Sequence, residues 1–266
     1  LRREKRMSLA PLAAHKRRPS ITNRMASITV FQEPSVEYNP EARIRVDYVG
    51  EERQPVVCID DFLLGAETLR ADAIAKGGFS DNTDCYPGLR LAAPSAYYQA
   101  LYESLPHLIE QVFGIPPEQI VKALSAYSLV TTRPEHLHRM QCVPHFDSVR
   151  PTELAIIHFL CGPEMGGTSF YRHRNTRYEY VDAMRRKRFL GTLEGDARAG
   201  LLPPPGYING DTDQFERIAS YGAVFNRMLL YRCTSLHSGN ISEEFAFDPD
   251  PAKGRLSINT FLLNGV

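Results

Sequence analysis

From Gln54 to Leu63 the chain reads QPVVCIDDFL, an apolar run closed by two acids, which predicts a strand ending in an acidic turn. The period then changes. Leu69, Ala73 and Ile74 fall on one side of a helix drawn from Ala66 to Lys76. A second helix is expected over Ser95 to Phe113, where Leu101, Leu105, Leu108, Ile109 and Val112 recur at i+3/i+4 spacing. Gly114 and the Pro116-Pro117 pair stop it. From about Lys122 the texture is that of strands. Ala123–Thr132, Glu153–Leu160, Thr168–Tyr171, Ala223–Tyr231 and Leu256–Leu263 are rich in β-branched and aromatic residues and bounded by Gly-Pro and Gly-Gly turns. Tyr178–Leu190 is expected as a helix inserted between strands, and Leu202–Gly206, with three prolines, as a loop. Helices first and strands after predict an α+β chain, mainly β, with helices packed on one face of a sandwich or jelly roll.

Charge changes the picture only at the N-terminus. Residues 1–24 carry eight Lys/Arg against the single acid Glu4, so the rest of a chain with 31 basic and 31 acidic residues has an acidic excess of seven. The leader is expected to be disordered or a mis-assigned start, with residues 25–266 as one domain. An acidic body offers no basic face for nucleic acid. No apolar run approaches the roughly 20 residues needed to span a bilayer, so no membrane partner is expected. The five cysteines are odd in number and form no CxxC pair, which predicts reduced thiols and a cytoplasmic protein rather than a disulfide framework or a zinc knuckle.

The candidate chemistry lies in the strand-rich half. In Pro144-His145-Phe146-Asp147 two ligand-type side chains stand two residues apart, so an extended strand projects both to one face. His237, after the run AVFNRMLLYR, can bring a second imidazole from another strand. Two His and one carboxylate leave coordination positions open, the set used by non-haem Fe(II) oxygenases. Eighteen residues further, Arg255 and Ser257 share a strand face, where guanidinium and hydroxyl can converge on a carboxylate. The remaining histidines are weaker candidates. His136 and His138 fall in a loop at the entrance or surface, His158 lies in an apolar strand as a core residue, and His173, among Arg172, Arg174 and Arg177, is expected at the surface or pocket mouth. That basic cluster is expected as a solvated face, the alternative being attraction of an acidic substrate or partner.

The order of these motifs resembles the Fe(II)/2-oxoglutarate-dependent oxygenase superfamily, in its prolyl-hydroxylase-like branch. The resemblance rests on Ile59-Asp60-Asp61-Phe62-Leu63, His145/Asp147, the strand LAIIHFL, Gly166-Gly167-Thr168, His237 and Arg255-x-Ser257, over roughly residues 54–263. It implies a double-stranded β-helix, with Fe(II) on His145, Asp147 and His237. 2-Oxoglutarate would be the co-substrate, held at its distal carboxylate by Arg255 and Ser257 and contacted by Tyr127, with O₂ as oxidant. Asp147, absent from halogenases of that superfamily, implies hydroxylation or a related oxidation. Two departures stand out: an acidic, proline-containing stretch, ISEEFAFDPDPAKG, lengthens the His237–Arg255 interval, and Arg replaces the Lys common in that branch. A redox-inert cupin-like metalloenzyme and a non-catalytic binding module are the alternatives. The substrate, a small molecule or a protein side chain, and the oligomeric state are not written in the sequence. Its pocket is expected to be lined by the loops Asp81–Leu89 and Arg172–Arg177.

Overall fold

The computed structural model describes residues 33–81, 85–242 and 244–265. The leader at 1–24 and the expected domain start at 25 lie outside the described residues. In chain order the elements are β1 (Glu37–Tyr38), β2 (Arg43–Val49), β3 (Gln54–Asp60), β4 (Leu63–Leu64), α1 (Ala66–Lys76), β5 (Ser80–Asp81), β6 (Gly88–Ala92), α2 (Ser95–Ser104) and α3 (Pro106–Phe113). There follow β7 (Ile120–Val130), β8 (Leu154–Phe159), β9 (Gly167–His173), α4 (Ala183–Arg198), β10 (Phe215–Gly222), β11 (Met228–Arg232), β12 (His237–Asn240) and β13 (Leu256–Asn264).

Two antiparallel sheets carry the architecture. The larger has the order β2-β3-β11-β8-β13-β7-β6-β5 and the smaller β10-β9-β12. From β8 onward the chain alternates between them: β8 in the large sheet, β9 and β10 in the small, β11 in the large, β12 in the small, β13 in the large. That winding is a double-stranded β-helix, or jelly roll, with helices packed against it. The fold is as expected.

Burial follows from the layering. In β8 every residue of LAIIHF is buried, because both faces of the central strand are covered. Ala155, Ile157 and Phe159 point between the sheets, where they join Val56, Cys58, Phe170, Leu229 and Tyr231. Leu154 and Ile156 point the other way, against a layer built from Leu69, Tyr97, Leu101, Leu105 and Ile109 of α1 to α3. Beyond the small sheet, α4 inserts Phe189 and Leu193 against Tyr171, Phe215 and Leu236. The helix expected over Ser95–Phe113 is two: Pro106 occupies the first turn of α3, where a missing amide costs nothing, and the axis breaks at Leu105. The inserted helix starts at Ala183 rather than Tyr178, because the Asp182 carboxylate caps it by accepting from the Arg185 amide. β10 carries a polar-rich segment, FERIASYG, that periodicity did not mark as a strand.

His158 is a core residue on the helical side of β8. Its ring stacks on Tyr97 at 5.7 Å and meets Phe62 edge-on at 5.5 Å, while Nε2 donates to Asn226 Oδ1 at 3.1 Å. Burial pushes its pKa down to about 4, against the Asn226 bond that raises it. The unfolded chain therefore binds a proton near pH 6.5 that the folded chain refuses until about pH 4. Stability conferred by this site is complete above pH 6.5 and falls as pH drops toward 4, by about 3 kcal/mol. His158→Phe keeps the ring, and Asn226 Oδ1 retains the Leu63 amide. Urea unfolding of both proteins should show the wild type losing this increment between pH 6.5 and 4 and the variant keeping it.

The basic cluster at 172–177 is only partly at the surface: Arg174 and Arg177 are exposed, as expected, but the expectation for His173 is corrected. Arg172 and His173 are buried. The Arg172 guanidinium donates through Nε and Nη2 to the buried Glu179 carboxylate and lies 3.2 Å from Glu51 and 3.1 Å from Glu216. Glu179 also accepts from the Glu51 and Glu52 amides, tying the β2–β3 turn to the segment before α4. Glu179 is near in sequence, whereas Glu51 and Glu216 come from distant parts of the chain.

Candidate metal centre

His145 and His237 face each other across an isolated antiparallel bridge: each amide donates to the other's carbonyl at 2.9 Å. Two residues on, the Asp147 amide donates to the Cys233 carbonyl at 2.8 Å. The 145–147 segment is thus laid along the entry to β12, extending the small sheet by one irregular strand. Extended backbone there sends the His145 and Asp147 side chains to one side, toward the imidazole of the buried His237. Ligand atoms of the three residues all lie within 4.8 Å of one another. Asp147 Oδ1 is 3.6 Å from His145 Nε2 and Oδ2 is 3.5 Å from His237 Nε2. His136 and His138 are exposed and stand outside this group.

The protonation states suit a metal. His237 Nδ1 donates to the Ser235 carbonyl at 3.0 Å, which leaves the Nε2 lone pair facing the group. Burial pushes the His237 pKa down to about 4, partly opposed by the Asp147 charge, so the ring is neutral at physiological pH. Burial also works against a charge on Asp147, but the facing His237 and His145 outweigh it and hold the carboxyl below its ordinary range. Tyr231 at 4.8 Å and Phe170 at 6.3 Å pack on the His237 ring and fix its plane. Two imidazole nitrogens and one carboxylate, ionised and convergent, fit a divalent cation.

Beside the 145–147 segment lies a cavity of about 480 Å³, lined by His145, Asp147, Met140, Phe146, Arg186, Phe189 and Leu190 among others; His237 is not among its lining residues. Two of the pocket expectations change here. α4 lines the cavity where the Arg172–Arg177 loop was expected. The 85–89 part of the Asp81–Leu89 loop does not line it, and residues 82–84 are outside the described residues. The spacing Arg186, Phe189, Leu190, Leu193, one face of a helix, was the available signal for α4.

Arg255 and Ser257 belong to the interior face of the large sheet, alternating with Leu256 and Ile258, which face the helices. Ser257 pairs with Ser128 on one side and Phe159 on the other. The buried Arg255 guanidinium lies 5.5 Å from the Phe159 ring centroid. Its Nε donates to the Met165 carbonyl at 3.1 Å and its Nη2 to the Gly167 carbonyl at 2.8 Å, while the Ser257 hydroxyl donates to Asn259 Oδ1 at 2.8 Å. Gly166, between those two carbonyls, takes a φ of 84°, and a Cβ there would sit 1.9 Å from the Asn240 carbonyl oxygen. The Gly-Gly turn is what lets β9 pass this close to β12. Tyr231, which packs on the His237 ring, has its phenol pushed well up, chiefly by burial.

Tyr127 is the exception. It lies on the opposite face of β7 in the helical layer, fully buried, and its hydroxyl donates to Asp72 of α1 at 3.0 Å. The sheet itself stands between Tyr127 and the interior, so a contact with the co-substrate is withdrawn.

Residues 40–262 match the family described as "Family of unknown function (DUF6445)". The chain belongs to that family. Among curated proteins no match was found. Solved structures with a related shape include the non-heme alpha ketoglutarate dependent carbocyclase SnoK from nogalamycin biosynthesis, with TM-score 0.44 and 15% identity over 78% of this chain and 79% of that one. The epimerase SnoN of the same biosynthesis gives 0.42 and 13% over 79% and 77%, and EvdMO1 gives 0.39 and 13% over 84% and 56%. Among the described residues of this DUF6445 chain, no helix is long and apolar enough to cross a membrane.

Proposed function

We propose that this chain is a non-haem Fe(II)- and 2-oxoglutarate-dependent dioxygenase that hydroxylates an organic substrate. The observation that carries the reading is the donor set. Two imidazole Nε2 atoms and one carboxylate, all within 4.8 Å, converge at one end of a double-stranded β-helix and leave the cavity side open. Bound there, Fe(II) with 2-oxoglutarate and O₂ would supply the oxidising equivalent for attack on a C–H bond. The chain's own residues do the positioning. His145, Asp147 and His237 hold the metal, and Ser235 fixes the tautomer of His237. Arg255, through its remaining Nη1, and the Ser257 hydroxyl bind the distal carboxylate of the co-substrate. Phe146, Phe189 and Leu190 supply apolar surface in the cavity beside the 145–147 segment. Membership of the prolyl-hydroxylase-like branch rests on motif order, with Arg255 in the place of its usual Lys.

A second reading, a redox-inert metal centre, has one observation in its favour. Two of the five Arg255 N–H donors are already given to main-chain carbonyls, which makes the guanidinium part of the framework in its own right. Anaerobic titration of the metal-free protein with Fe(II) and 2-oxoglutarate separates the two. A weak visible charge-transfer band that requires both components is the expected result. Metal binding without that band would overturn the oxygenase reading in favour of the inert centre.

A further inference from the structure

The stretch Arg185 to Arg188 puts four cations in a row at the start of α4, and the structure gives them different fates. Arg185 pairs with Glu52 at 2.7 Å and lies 3.9 Å from the Tyr180 ring centroid. Arg188 reaches the Tyr178 ring at 5.8 Å. Lys187 points to solvent. Arg186, also exposed, differs from all three in what it adjoins. It precedes Phe189 and Leu190 by three and four residues, so it shares their face and reaches the metal-centre cavity with them. Among the described residues its guanidinium has neither a carboxylate partner nor an aromatic ring.

The rest of that wall is apolar or already committed. Met140, Pro144, Phe146, Val149, Phe189 and Leu190 supply hydrocarbon, Ser148 a hydroxyl, and His145 and Asp147 belong to the triad. A cavity of about 480 Å³ is of the size that encloses a small organic molecule. An uncompensated guanidinium on an otherwise apolar wall is a two-part recognition surface. The apolar side chains favour a hydrophobic body, and the fork-shaped cation selects a carboxylate, sulfonate or phosphate carried on it.

We infer that this cavity binds an organic anion with an apolar body, its charged group on Arg186 and its body along Phe146, Phe189 and Leu190. Such a ligand lies with its hydrocarbon beside His145 and Asp147. That this anion is the substrate of the oxidation rests on the oxygenase reading; its binding does not.

The test uses the metal-free protein and two fluorescent probes of similar apolar body: 8-anilinonaphthalene-1-sulfonate, an anion, and N-phenyl-1-naphthylamine, which is uncharged. Wild-type protein should bind the anion in preference to the neutral probe. Arg186→Met should weaken the anion about tenfold, the scale of one charge-assisted contact, and leave the neutral probe unchanged. Leu190→Ala should weaken both probes. Lys187→Met removes the same charge one residue away and should change neither. No preference in the wild type, an unchanged preference in Arg186→Met, or an equal loss in Lys187→Met would each overturn the inference, the last by reducing it to a general surface field. The readout is independent of iron. Arg186-dependent anion binding by a protein that fails the Fe(II) titration would sink the oxygenase reading and leave the anion site standing, and the converse result would do the reverse.

Discussion

His237→Ala is expected to lower Fe(II) affinity by at least about 100-fold while the protein still folds. Loss of a directly coordinating imidazole should exceed the 10–100-fold cost of removing an outer partner of a metal ligand. The remaining pair, His145 and Asp147, comes from one short segment, and Asp147 would hold the cation with only one nitrogen facing it. The fold survives because the cross-strand bonds at this position are main chain: the His145 and His237 amides and carbonyls pair whatever the side chains are. The ring's packing on Tyr231 and Phe170 is lost, so a modest fall in stability accompanies the change. Calorimetric Fe(II) titration under argon, with circular dichroism of both proteins, measures the two effects separately. Unchanged affinity in a folded variant would remove His237 from the ligand set and the oxygenase reading with it.

The triad was legible in the sequence because strand geometry fixes where residues i and i+2 point, and because His237 and Arg255-x-Ser257 follow His145 and Asp147 in an order that the short motif alone would not supply. The fold class was legible for a similar reason: runs such as LAIIHFL are apolar on both faces only when both faces are covered. The same double coverage made Tyr127 misleading. With helices on one side of the large sheet and the small sheet on the other, both faces of β7 are buried near Tyr127, and the register with Ile258 reveals that Tyr127 faces α1. The burial of Arg172 within the basic run is hidden because two of its carboxylate partners, Glu51 and Glu216, are brought to it by tertiary structure. α4 was visible as a helix, but its place over the metal centre follows from packing of Phe189 and Leu193 on the small sheet, which spacing cannot report.

Arg255 is the residue whose two roles give the second large expected effect. Its Nε and Nη2 satisfy the Met165 and Gly167 carbonyls on either side of Gly166, so the side chain fastens the start of β13 to the turn that opens β9. Arg255→Met keeps the hydrocarbon against Phe159 but leaves two carbonyls short of donors; bonds of this charge-assisted kind contribute about 1.5–3 kcal/mol each, and a total loss of about 3–6 kcal/mol is expected. Arg255→Lys retains the charge but cannot span two carbonyls and a ligand together, so it should recover only part of that stability. If Arg255 also anchors the co-substrate, both variants lose 2-oxoglutarate affinity, by roughly 10–100-fold, in samples shown by unfolding curves to be folded at the assay temperature. Ser257→Ala separates the roles. Its hydroxyl serves only Asn259 in the structure, so stability should stay within about 1 kcal/mol of wild type while 2-oxoglutarate binding still weakens. Full co-substrate affinity in both Arg255→Lys and Ser257→Ala would make Arg255 a structural clamp and move the carboxylate anchor elsewhere in the interior.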